Sequence, residues 1–96
     1  MSVNAVLKDL VCENRIDLLV LAEYVDNLNA LRAEFLDQRI YFEEGITVGC
    51  ERIIILSRIR EIEPGFQNKY CSMQIINNEY ILVCIHLPCK LFSDYY

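Results

Sequence analysis

The sequence predicts an α/β fold: a partial α/β sandwich with a mixed sheet, read as helix, strand, helix and strand followed by an antiparallel hairpin. Three observations carry this expectation. Apolar residues recur at helical spacing over residues 2–14, the aliphatic runs 18–21 and 53–56 suit strands, and Asn77-Asn78 separates two alternating segments.

In chain order, Val3, Val6, Leu7, Leu10 and Val11 fall on one helical face and Lys8, Asp9 and Glu13 elsewhere, with Ser2 placed as the N-cap. Asn14 and Arg15 break the pattern. Residues 16–23 then read as a strand covered on both faces, because residues 18–21 are all aliphatic. Asp26 or Asn27 caps a second short helix with Leu28, Leu31 and Phe35 on its apolar face. The next strand is placed in the run 52–56, also covered on both faces, in preference to the weaker 40–42. A strand, helix and strand with short joints predict a parallel crossover. Pro64 and Gly65 demote the following segment to an edge strand or loop. Around the Asn pair, Tyr80, Leu82, Cys84 and His86 share one strand face and Ile81, Val83, Ile85 and Leu87 the other. After "FSDYY" no element closes the sheet, so a single incomplete domain over residues 1–96 is expected.

The net charge is −5, and the nine basic residues are scattered, so no basic stripe points to a phosphate backbone. A divalent cation could still neutralise an acidic site locally. The five cysteines include no CxxC pair, and no signal peptide precedes them. Reduced thiols in a soluble, cytoplasmic protein are expected. No apolar run approaches the roughly 20 residues of a membrane-spanning helix.

Glu23 ends the first aliphatic strand, where a buried, unpaired carboxylate would be costly. It is either a solvated strand-end residue, the commoner case, or an oxygen ligand for a hard cation such as Mg²⁺. His86, the sole histidine, also lies at a strand end. A lone strand histidine is more often structural; its functional reading is a donor to a phosphate oxygen or a general acid/base. Ligands in open α/β sheets bind beyond the carboxyl ends of strands, which favours both as candidates. Cys84 and His86 share a strand face, but ~6.5–7 Å between alternate Cα atoms is too long for a nucleophile and base pair. Buried structural thiols are the safer reading. Glu43 and Glu44, beside Gly45, are expected to line a solvated turn. Gly-x-Gly-x-x-Gly, P-loop and Gly-x-Ser-x-Gly patterns do not occur.

"NRIDLLVLAEY", "CERIIILSRIREIEPGF" and "NNEYILVCIHLP", in this order, resemble the N-terminal half of the endonuclease/exonuclease/phosphatase superfamily of divalent-metal-dependent phosphoesterases and nucleases. The resemblance implies that Glu23 matches the family's metal-binding glutamate, with Ala22 standing where the family has glutamine. It likens Ile55-Leu56-Ser57-Arg58 to the family's "ILSR" strand, and His86-Leu87 to the "HL" whose histidine contacts the scissile phosphate. It further implies Mg²⁺ or Mn²⁺ as cofactor and a phosphate ester, nucleic acid among them, as substrate. The family's upstream asparagine and its later Asp-x-Asn, Asp and Asp-His contributions are not matched in these 96 residues. The chain alone is therefore expected to hold a cation weakly and turn over little. The alternative is a non-catalytic binding or assembly module that self-associates through exposed sheet edges.

Overall fold

In the computed structural model, residues 2–87 are described; Cys89, Lys90 and the closing "FSDYY" lie outside the described residues. Helix α1 spans Val3–Asn14, with the Ser2 hydroxyl accepting from the Ala5 N–H at 3.1 Å and Arg15, in the left-handed region at φ 51°, closing it. Strand β1 is Leu18–Ala22. Helix α2 spans Leu28–Asp37, and its cap is Asn27, whose side-chain oxygen accepts from the Ala30 N–H. Strands β2 (Glu43–Glu44), β3 (Ile53–Ser57), β4 (Ile62–Gln67), β5 (Cys71–Ile76) and β6 (Tyr80–Ile85) follow. No helix among the described residues is long and apolar enough to cross a membrane.

The α/β class is as the sequence predicts, in two three-stranded sheets ordered β1-β3-β2 and β4-β5-β6. The predicted parallel crossover is corrected: β1 and β3 pair antiparallel, Leu18 opposite Ser57 and Ala22 opposite Ile53. Every pairing among the described strands is antiparallel, so neither sheet is mixed. The reason lies between α2 and β3. Helix α2 brings the chain back along β1, but residues 38–52, including β2, carry it up again, so β3 enters beside the carboxyl end of β1. Two main-chain bonds of 2.8 Å mark the ends of this pairing, Glu23 N–H to the Arg52 carbonyl and Arg58 N–H to the Asp17 carbonyl. Glu43 and Glu44 are exposed as expected, yet they pair with β3 instead of forming a turn.

Expectation and structure also part at β1. Leu19 and Leu21 are buried, but Val20 and Ala22 are exposed. As an edge strand β1 is covered by the helices on one face and only in part on the other. Two-sided burial belongs to the central strand β3, where Ile53, Ile55, Leu56 and Ser57 are all buried. Leu56 joins Val11, Leu19, Leu21, Leu31, Phe35 and Phe42 in the helix-side core, while Ile53 and Ile55 pack with Cys50 and Cys84 between the sheets.

Strand β4, with Pro64, Gly65 and a register shift between Pro64 and Gln67, is the predicted edge strand. The β5–β6 hairpin also forms as expected: Asn77 and Asn78 both take φ 53°, and the Glu79 N–H closes the turn on the Ile76 carbonyl at 3.0 Å. Gln74, fully buried between the sheets, donates to the Ile46 carbonyl and the Ser72 hydroxyl.

Leu31 lies at 0% exposure in the helix-side core, so Leu31→Ala should lower unfolding free energy in urea by about 2–5 kcal/mol. Val25→Ala, at a fully open position, should stay within about 0.5 kcal/mol of wild type.

Candidate functional site at the ends of β1 and β6

The register of β1 against β3 carries the chain one residue past Ala22, and Glu23 there takes φ 53°. A side chain bearing a Cβ pays roughly 1 kcal/mol or more for that left-handed conformation, which here is held by the Glu23 N–H to Arg52 bond. On the second sheet, His86 follows β6 immediately, and its N–H donates to the Tyr70 carbonyl at 2.8 Å. Each residue is thus fixed through its backbone by the strand or loop beside it.

The two sheets meet so that these strand ends converge. His86 Nε2 lies 3.0 Å from Glu23 Oε1, and an Arg52 guanidinium N–H donates to the same oxygen at 3.2 Å. The His86 side chain is 15% exposed and the Glu23 side chain 53% exposed, so the imidazole is sheltered while the carboxylate opens to solvent. Glu23 and His86, separated by most of the chain, form one site. Sequence reasoning missed Arg52; its position directly before an aliphatic strand was the available signal, but only the antiparallel register places it beside Glu23.

A cleft of about 550 Å³ opens next to this contact, lined by Gly49, Glu51, Arg52, Lys69, Tyr70 and His86. Glu23 itself faces a smaller groove of about 200 Å³ with Val3, Leu7 and Tyr24 among its walls. Tyr24 is anchored by a hydrogen bond to the Asn4 side-chain oxygen. Burial pushes its hydroxyl pKa up, against the lowering effect of that bond.

The donor set bears on which ions fit. No group of three or more His, Cys, Asp or Glu side chains converges among the described residues. Glu23 supplies one solvent-open carboxylate whose Oε2 has no partner among the described residues. One carboxylate with water filling the remaining positions suits Mg²⁺ and does not suit a zinc site. Glu43 and Glu44 lie away from it, toward the other end of the sheet opposite Ser57 and Leu56. Arg58, the arginine of the "ILSR" stretch, is also remote: it donates to the Ile16 carbonyl, pairs with Asp17 at 3.2 Å and stacks over Phe42.

Cysteine chemistry finds little support. Burial raises the Cys50 and Cys84 thiols above their ordinary values, and the mutual proximity of Cys50, Cys71 and Cys84 adds to it. A raised thiol is a poor nucleophile at neutral pH. His86 is turned to Glu23, which leaves the adjacent Cys84 without an evident base.

Comparison of the chain with protein-family models, with curated proteins and with solved structures finds no match to any of them.

The raised Cys50, Cys84 and Tyr24 groups give a sign for alkaline stability. Above the ordinary thiol value of 9.0 the unfolded chain releases protons that the folded chain retains. The unfolded state is thereby favoured, and stability is lost as pH rises. Urea midpoints measured from pH 7 to pH 10.5 should fall above about pH 9, and Cys50→Ala with Cys84→Ala should flatten that fall; equal slopes in both proteins would contradict the assignment.

Proposed function

We propose that this chain supplies the cation-holding and phosphate-contacting residues of a divalent-metal-dependent phosphate-ester hydrolase site, as its resemblance to the endonuclease/exonuclease/phosphatase superfamily implies. The observation that supports this reading is the 3.0 Å approach of His86 Nε2 to Glu23 Oε1. Two residues singled out for separate reasons lie side by side, at the ends of β1 and β6.

Phosphoryl hydrolysis requires neutralised phosphoryl oxygens and an activated water; a bound Mg²⁺ or Mn²⁺ contributes to both. Glu23 provides the carboxylate toward that cation. His86, sheltered and held by its main-chain bond to Tyr70, turns Nε2 to Glu23 Oε1 and would serve as the residue that contacts a phosphate oxygen beside a cation held there. Arg52 contributes a permanent positive charge beside the same point. The resemblance assigns further asparagine, aspartate and histidine contributions to segments not matched here, so the chain by itself should hold a cation weakly and turn over slowly. Nucleic acid, lipid and sugar phosphates all fall within this substrate class.

A second reading, self-association through a sheet edge, draws on the contrast between β4 and β6. Edge strand β4 is protected by Glu63, Pro64 and a register shift, whereas β6 carries no charge from Tyr80 to Ile85 and exposes Ile81, Val83 and Ile85. Sedimentation over a concentration series should then show a dimer that Val83→Lys disperses; a monomer at every concentration would contradict this reading.

For the leading reading, Glu23→Gln should lower Mg²⁺-dependent hydrolysis of an aryl phosphate diester by about a hundredfold or more, with Glu44→Gln at wild-type level. Turnover unchanged in Glu23→Gln would overturn it.

A further inference from the structure

We propose that the cleft beside Glu23 is a seat for a phosphate group gripped by Arg52 and Lys69, and that filling it draws Arg52 off Glu23 and leaves the carboxylate to a cation. The second half rests on the reading of Glu23 as the cation-holding residue; the first half does not.

The cleft gathers positive charge on a molecule that is acidic overall. The chain carries −5, yet Arg52 and Lys69 both line this one cleft, against one lining acid, Glu51, with Glu23 reaching Arg52 at its edge. Its volume of about 550 Å³ lies within the range of small-ligand sites. Its walls are tied to the frame by two main-chain bonds of 2.8 Å, Glu23 N–H to Arg52 and His86 N–H to Tyr70. Both cationic arms are open to solvent. Lys69 is exposed, lies 5.7 Å from the centre of the Tyr70 ring, and enters no ion pair among the described residues. Arg52 is 68% exposed and meets Glu23 through one nitrogen on one oxygen.

That last contact sets the direction of exchange. An exposed single-point ion pair adds little to stability, whereas a phosphate offers the guanidinium fork two parallel charge-assisted bonds and meets Lys69 as well. Glu23, released from Arg52, keeps Oε1 beside His86 and presents its other carboxylate oxygen to solvent. Anion and cation binding therefore reinforce each other, and by linkage the coupling is reciprocal.

Calorimetry on the whole chain tests the two halves separately. With chelator present, inorganic phosphate should bind saturably, and Arg52→Gln or Lys69→Gln should weaken it about tenfold or more, while Lys8→Gln should not. Both side chains are exposed, and an unchanged amide spectrum would verify the fold. In phosphate-free buffer, Mg²⁺ should bind more tightly to Arg52→Gln than to wild type, a gain that a merely structural arginine would not produce. Phosphate binding that ignores both substitutions overturns the seat. Equal Mg²⁺ affinity in Arg52→Gln and wild type overturns the release of Glu23. Mg²⁺ binding that persists in Glu23→Gln overturns the cation half together with the reading beneath it, while the phosphate titrations judge the seat alone.

Discussion

The two-sided burial of β3 is the constraint on which the rest of the molecule depends. Leu56, with Ile54, faces the layer built by α1 and α2, and Ile53 and Ile55 face the second sheet. Each such side chain contributes about 1.5–3 kcal/mol when withdrawn from water, and a one-residue slip would exchange the two sets. The strand is therefore locked in register, and everything paired with it is locked too. Gln74 extends this constraint across the inter-sheet layer by donating to the Ile46 carbonyl, shortly after β2, and to Ser72.

From that register the site follows. Ala22 lies opposite Ile53, so the next residue on each strand, Glu23 and Arg52, must be neighbours at the open end of the sheet. The second sheet, held against Ile53 and Ile55 through Cys84, brings the end of β6 to the same place. The cost is local: Glu23 adopts a left-handed backbone with no glycine to ease it. Strain of this kind is tolerated where the surroundings over-determine it, and it commonly accompanies function.

The sequence made the elements legible because their signals were local. Ser2 and the Asn77-Asn78 turn act where simple capping and turn chemistry put them, and the aliphatic run of β3 is buried on both faces as read. Strand direction was not local. The crossover rule assumes that the chain reaches the next strand directly from the helix, and residues 38–52, whose course depends on pairing by Glu43 and Glu44, defeat it. The same run of aliphatic residues in β1 and β3 could not reveal which strand lies at an edge. Glu23 and His86 were legible as strand-end polar residues, but Arg52 was hidden, since only the antiparallel register makes it their partner.

The central claim is that Glu23 and His86 form one site although they belong to different sheets. Because His86 is the only histidine, its ring nitrogens give a single, assignable pair of signals in a long-range ¹H–¹⁵N spectrum. Glu23→Gln should move those signals clearly, while Glu44→Gln, which alters an exposed carboxylate at the far end of the sheet, should leave them in place. Ring-nitrogen signals indifferent to Glu23→Gln would contradict the account, because the contact that joins the two sheets into a site would not exist.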